Sequence, residues 1–276
     1  RAVLDAEKKT GRKIIVTHNY RYAPKHQKIK ELLMGGEIGK ITSVDFTWFL
    51  DTTHGADYFR RWHRLRSKSG SLWVHKASHH FDLVNWWIDA EPVQVSALGT
   101  LANYGKSGPF RSTNCRSCPH KDKCSYYWDI NRSANLVALY NDCESADGYQ
   151  RDGCVFKEDI DIWDTMNAVV KYSNGVDMSY SVNTFMPIEG YYLAFNGTKG
   201  RLEVRDYERQ PWTPPAETEI EIVRNFGKRV PVEVPTATGG LACLIDGLGH
   251  GPDAADAAEA CGDVVRTHAE WAAQDS

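Results

Sequence analysis

Four consecutive segments between residues 160 and 208 restrict this chain more than any other feature. IDIWDTMNAVVKY, VDMSYSVNTFM, EGYYLAFNGTKG and RLEVRDYE are strand-like and are separated by turn signals, Asn-Gly at 174–175 and Gly-Thr-Lys-Gly at 197–200. Strands joined by turns that short pair with their neighbours, so the run predicts an antiparallel meander. Upstream, ITSVDFTWFL (41–50) alternates as a strand does, and VQVSALGTL (93–101) adds another behind Pro92.

Helices are expected around these strands. Pro24 opens one in which Ile29, Leu32 and Leu33 share a face, closed by Gly35 and Gly36. SHHFDLVNWWI (78–88) carries Phe81, Val84, Trp87 and Ile88 at helical spacing, with Ser78 as a candidate N-cap. An Ala-rich helix is expected from Pro252 to Trp271, and PWTPPAETE (211–219) reads as a surface loop. The first residues form a helix with Val3, Leu4 and Ala6 near one face and Gly11 as its stop. KIIVT (13–17) follows as the continuous apolar run of a buried parallel strand. That pair is the last unit of an α/β domain. Residues 1–20 are therefore expected to end one domain, begun upstream, and residues 21–276 to form the next.

The 276 residues carry 33 basic and 36 acidic side chains, a net of -3, which offers nucleic acid or an anionic membrane no attraction. No apolar run approaches the roughly 20 residues of a membrane-spanning helix, and a cytoplasmic protein is expected. No G-x-G-x-x-G follows a strand, so the chain is expected to bind NAD negligibly on its own.

Three stretches resemble the Gfo/Idh/MocA (glucose-fructose oxidoreductase and inositol dehydrogenase) family. They are VTHNYRYAPKHQKIKELLMGGEIGKI, GSLWVHKASHHFDLVNWW and NGTKGRLEV. The second is similar to the family's G-G-x-L-x-D-x-G-x-H-x-x-D helix entry. The resemblance implies an α/β (α+β) fold: an open, mostly antiparallel sheet flanked by helices, preceded by the last helix-strand unit of a Rossmann domain. It implies an NAD- or NADP-dependent oxidoreductase acting on a sugar or cyclitol, and a homo-oligomer formed through the sheet face. An NAD-dependent glycoside hydrolase of the same fold and a non-catalytic binding domain are the alternatives.

Matching the second stretch residue by residue places the family's catalytic His at His79 and its later Asp at Asp82, while His75 stands where the family has Asp. A His titrates near neutrality and suits the proton of a reacting hydroxyl. His75 exchanges a negative partner for a second imidazole, which lowers the protonated fraction of both. Lys76 is a candidate basic group, although strand alternation would point it away from His75. His75 and His79, with Asp82, also form a candidate metal set if helical. Asn19, Tyr20 and Arg21 are candidate cofactor contacts, with a junction salt bridge as the alternative for Arg21. In HGADYFRRWHRLRSKSG, Trp62 with Arg61 or Arg64 is a candidate cover for a nicotinamide or a sugar ring, or else a loop anchor.

Residues from about 104 to 159 are polar, irregular and cysteine-bearing, too long for an unpinned loop. Cys115, Cys118 and Cys124, completed by Cys154 or Cys143, suit a structural zinc. An iron-sulfur cluster and disulfides are the alternatives, and Cys243 and Cys261 are expected to be inert core thiols.

Overall fold

The computed structural model describes residues 2–13, 18–209 and 217–234. The expected strand at 14–17, the helix from Pro252 to Trp271, and Cys243 and Cys261 lie outside the described residues. Two compact units divide the chain, residues 1–30 with 235–276 and residues 31–234.

In the first unit, α1 (Ala2–Thr10) ends as expected at Gly11, whose φ of 67° is the left-handed conformation a helix stop favours. A short 3-10 turn, Asn19–Tyr22, precedes α2 (Pro24–Met34).

The second unit is built on one eight-stranded sheet. Its strands are β1 (Ile41–Asp51), β2 (Pro92–Thr100), β3 (Thr165–Tyr172), β4 (Asp177–Met186), β5 (Glu189–Gly197), β6 (Gly200–Arg209), β7 (Glu217–Arg224) and β8 (Arg229–Val232). They lie in the order β2-β3-β4-β1-β5-β6-β7-β8. Six of the seven neighbouring pairs are antiparallel; β1 runs parallel to β4. The meander is thus split: β4 and β5, adjacent in sequence, are separated by β1. The reason lies in their side chains. Val44, Phe46, Trp48 and Leu50 give β1 an inner row of apolar side chains that is buried at the centre of the sheet. β7 and β8 are further corrections, because Glu217–Glu219 of the expected surface loop begin a strand.

The sheet is one-sided. Its inner face carries Met178, Tyr180, Val182, Tyr191, Leu193, Phe195, Leu202 and Val204, all nearly inaccessible. Burying each such side chain contributes about 1.5–3 kcal/mol. The outer face carries a ladder of charge, including Arg201 with Glu203 and Arg229 with Glu221.

Two helices close the inner face, α3 (Thr52–Arg60) and α4 (Ala77–Ile88). Trp87 of α4 meets Phe46 and Phe195 at 6.5 and 5.6 Å between ring centroids. α4 starts one residue before Ser78, which is exposed and caps nothing. α3 approaches β4 so closely that a Cβ on Gly55 would stand 1.7 Å from the Thr184 carbonyl oxygen. Only glycine permits that contact. No helix among the described residues is long and apolar enough to cross a membrane.

Between β2 and β3 the chain forms the expected irregular region, pinned by buried polar groups. The Asp164 carboxylate, fully buried, accepts hydrogen bonds from the backbone of Ala102 (2.9 Å), Asn103 (2.7 Å) and Tyr104 (3.1 Å). The Tyr104 hydroxyl donates to the Thr184 carbonyl at 2.9 Å and its ring stacks on Phe59 at 4.2 Å. Asp152, also fully buried, accepts from the Arg116 backbone and side chain at 2.9 and 3.0 Å.

Candidate active site

Asp51 ends β1 and caps α3, its carboxylate accepting from the backbone of Thr53 (2.7 Å) and His54 (3.0 Å). Its own N–H donates to the Glu189 carboxylate at 2.8 Å, and the other Glu189 oxygen binds His54 Nδ1 at 2.7 Å. One buried glutamate on β5 therefore fixes both the cap and the first-turn histidine of α3. The His54 ring stacks on Tyr58 one turn later, at 5.3 Å.

Tyr58 stands edge-on to two more imidazoles, His63 at 5.4 Å and His75 at 5.5 Å. These two are joined directly, Nε2 to Nε2, at 2.8 Å. A bond between two such nitrogens requires a proton on one and a lone pair on the other. Burial holds His75 below the ordinary histidine range, and the charges of Arg61, Lys76 and His79 push the same way. Positive charge on His75 is accordingly disfavoured.

The sequence-predicted residues fall around this pair unequally. His79 lies in the first turn of α4, half-buried, near enough for its charge to act on His75. Asp82 lies almost one turn further along α4, also half-buried. Leu72–His75 is a helical turn rather than a strand, so the alternation argument for Lys76 fails; its ammonium sits 5.1 Å from the centre of the Trp48 ring. His75 and His79 occupy separate helical segments, which removes the helical His-x-x-x-His geometry. Trp62 stacks on His63 at 3.8 Å and also lines a cavity of about 420 Å³ with Arg64, Lys68, Tyr149, Gln150 and Lys157. Arg64 is held by Asp159 at 2.8 Å, and Arg61 by Asp57 at 3.3 Å. Burial raises the Asp57 carboxyl, but Arg151 and Arg61 outweigh it and hold the group below the usual carboxylate range. In the first unit, the Tyr20 carbonyl meets His26 Nδ1 at 2.6 Å and the Arg21 carbonyl accepts from the Gln27 amide at 2.8 Å.

His54, Tyr58, His63 and Glu189 belong to the candidate site, and sequence reasoning missed them. The signal was present: Asp51 ahead of TTHGADYFRR is an N-cap followed by residues at helical spacing, which would have turned a supposed loop into α3.

The five described cysteines, including Cys143, are free thiols, which overturns disulfides among them. Among the described residues no three His, Cys, Asp or Glu groups converge to hold a metal ion, at the cysteines or at His75 and His79. Nor do the described residues form a dinucleotide phosphate cradle. Where β1 runs into α3 there is no Gly-x-Gly turn, and the Asp51 carboxylate already occupies the helix amides that would receive a phosphate.

The family model for the oxidoreductase family's C-terminal alpha/beta domain matches residues 30–228. The chain belongs to the Gfo/Idh/MocA oxidoreductase family. This member is 42% identical over 254 residues to YteT of Bacillus subtilis (strain 168), an oxidoreductase by name, an alignment covering 86% of this chain and 59% of that protein. Its fold is similar to that of aldose-aldose oxidoreductase from Caulobacter crescentus solved with glycerol, at TM-score 0.54 and 14% identity, covering 88% of this chain and 54% of the other. Levoglucosan dehydrogenase solved with NADH and levoglucosan is similar at TM-score 0.54 and 18% identity, covering 84% and 50%. At those identities the two solved structures show the shared fold. The Gfo/Idh/MocA chain spans 59% or less of each of these three relatives.

Proposed function

We propose that the protein carrying this chain is an NAD(P)-dependent oxidoreductase acting on a hydroxyl of a sugar or cyclitol. Family membership and the NADH named with levoglucosan dehydrogenase support the cofactor class. The described residues hold no phosphate cradle, so they account for the proton half of the reaction alone.

The observation that carries this reading is the 2.8 Å bond between His63 and His75, set against Trp62 in the cavity wall. As a carbinol is oxidised its hydroxyl proton must leave, and a neutral imidazole is a suitable base for it near pH 7. His75 takes the proton in this reading, and its Nε2–Nε2 bond to His63 lets the second imidazole share it. His79 positions the hydroxyl beside them. The exposed outer sheet residues Leu98, Val169 and Tyr192 are the surface we assign to a second copy of the chain.

The test is NADH or NADPH production by the full-length protein across a panel of aldoses and cyclitols, with His75→Asn and His63→Gln beside the parent. Each variant is expected to lower kcat by about 10²–10⁴-fold and to flatten its pH dependence, with KM little changed. Parent-like rates and pH profiles in both variants would sink the assignment. Release of aglycone without net reduced cofactor would favour the hydrolase instead.

A further inference from the structure

The cavity of about 420 Å³ beside Trp62 is rich in positive charge. Arg64, Lys68 and Lys157 reach its wall from two segments far apart in the chain, against one carboxylate, Asp147. A volume of that order is typical of small-molecule sites. Backbone bonds hold the two segments in place. Asp161 N–H donates to the Arg64 carbonyl at 3.2 Å and Gly105 N–H to the Val155 carbonyl at 2.9 Å, so Lys157 leaves a stretch anchored on both sides. Gly153 to Phe156, just before it, are buried. Lys68 stands on the helical turn Arg66–Ser69, whose Ser69 hydroxyl donates to the His63 carbonyl at 2.8 Å.

These charges are not all matched. Arg64 holds the Asp159 carboxylate through Nε at 3.1 Å and Nη2 at 2.8 Å. Asp147 accepts the Tyr149 N–H at 2.9 Å, closing a turn within its own loop. Lys68 and Lys157 have no ion-pair partner among the described residues. Lys157 is half-buried; burial, and after it the charge of Arg64, holds its ammonium below the ordinary lysine range even though Asp159 opposes the shift. A partly desolvated ammonium with no counter-ion is unfavourable, and an anion entering the cavity relieves it.

Trp62 joins this cavity to the candidate active site. It lines the wall, stacks on His63 at 3.8 Å and stands edge-on to His75 at 5.8 Å, so the cavity and the bonded imidazoles share one residue. Gln150, also in the wall, adds an amide that both donates and accepts, as sugar hydroxyls require. We propose that the cavity binds an acidic sugar, its carboxylate or phosphate ester held by Lys157 and Lys68, its ring against Trp62 and its carbinol toward His75. Lysine recognises either anion as a point charge, so the two sources share one chemistry. Oxidation of the bound sugar rests on the oxidoreductase reading; its binding does not.

The experiment is calorimetric titration of the full-length protein, with and without NADH and at low and high salt. The probes are gluco-, galacto- and manno-configured uronates, the matching hexose 6-phosphates and the neutral hexoses. At least one acidic sugar is expected to bind about tenfold or more tightly than its neutral counterpart, an advantage that shrinks as salt rises. Lys157→Gln should weaken that binding by about tenfold and the more exposed Lys68→Gln by less. Lys171→Gln, the same charge change on β3, should leave it unaltered. Preference for uronates identifies a carboxylate as the anion, and preference for 6-phosphates a phosphate ester. Equal affinity for acidic and neutral sugars, no binding of any acidic sugar, or parent-like affinity in both Lys157→Gln and Lys68→Gln overturns the proposal. Lysine-dependent binding with no cofactor reduced keeps the site and sinks the oxidoreductase reading. Reduced cofactor formed from a neutral sugar, with KM unchanged in Lys157→Gln, does the reverse.

Discussion

The eight-stranded sheet and the loop from Leu101 to Asp164 are ordered by opposite means. In the sheet the backbone bonds itself, strand to strand, and apolar alternation decides which face is buried. In the loop few backbone groups have regular partners, and single buried side chains satisfy several of them at once: Asp164 binds three amides, and Arg60 reaches the Gly153 and Tyr126 carbonyls at 3.1 and 2.9 Å. A sheet distributes its stability over many similar contacts. A loop of this kind concentrates it in a few polar atoms, and losing one exposes the full desolvation cost of the groups left behind.

Trp48→Ala breaks the sheet side of the comparison most severely. Trp48 is fully buried between the stacked rings of His80 (4.0 Å) and Tyr191 (4.9 Å), and its loss should cost about 3–5 kcal/mol. Chemical denaturation should show one transition, shifted equally for every probe. Asp164→Ala should cost about 2–4 kcal/mol, because three amides lose a buried acceptor. Here hydrogen exchange should accelerate at residues 102–104 and through the loop, while β1 and β5 amides stay protected; uniform loss of protection would show that loop and sheet form a single cooperative unit.

A pH titration sharpens the comparison at the site that joins the two regions. His75 is held below its unfolded value, so the unfolded chain takes up that proton first. Its contribution is complete above about pH 6.5 and is lost as pH falls toward the folded value. Asp57, also depressed, adds a second loss below its ordinary value of 3.8. The denaturation midpoint followed against pH should lose its first step in His75→Asn and keep the second. The smallest effect belongs to the outer sheet face: Arg205→Ala, which removes a half-exposed pair with Glu219 at 3.8 Å, should change stability by under about 1 kcal/mol.

The same contrast explains what the amino-acid sequence discloses. Alternation in ITSVDFTWFL and turn signals at 174–175 and 197–200 locate β1 and β3 to β6, because periodicity and turn chemistry are local. Placing β1 between β4 and β5 depends on contacts more than 130 residues apart, which no local window shows. β7 was obscured by the prolines preceding it. At the site, His75 and His79 were legible from a motif, whereas His63 and Glu189 reach the same neighbourhood from elements whose packing is not encoded in their spacing. The loop's pins, Asp152 and Asp164, look like ordinary surface carboxylates until their burial is seen.

Placing the first strand at the centre of the sheet has a kinetic consequence. Thr47 bonds Ser181 across a separation of 134 residues, and Asp51 bonds Glu189 across 138. On the ribosome β1 emerges with Phe46 and Trp48 exposed and must wait for the whole cysteine-bearing loop to be synthesised before either neighbour arrives. Closing contacts that distant is slow, and the waiting strand has two unpaired apolar edges. Refolding yield should therefore fall with protein concentration, and β1 has both its strand neighbours only once residues 52 to 197 have been made.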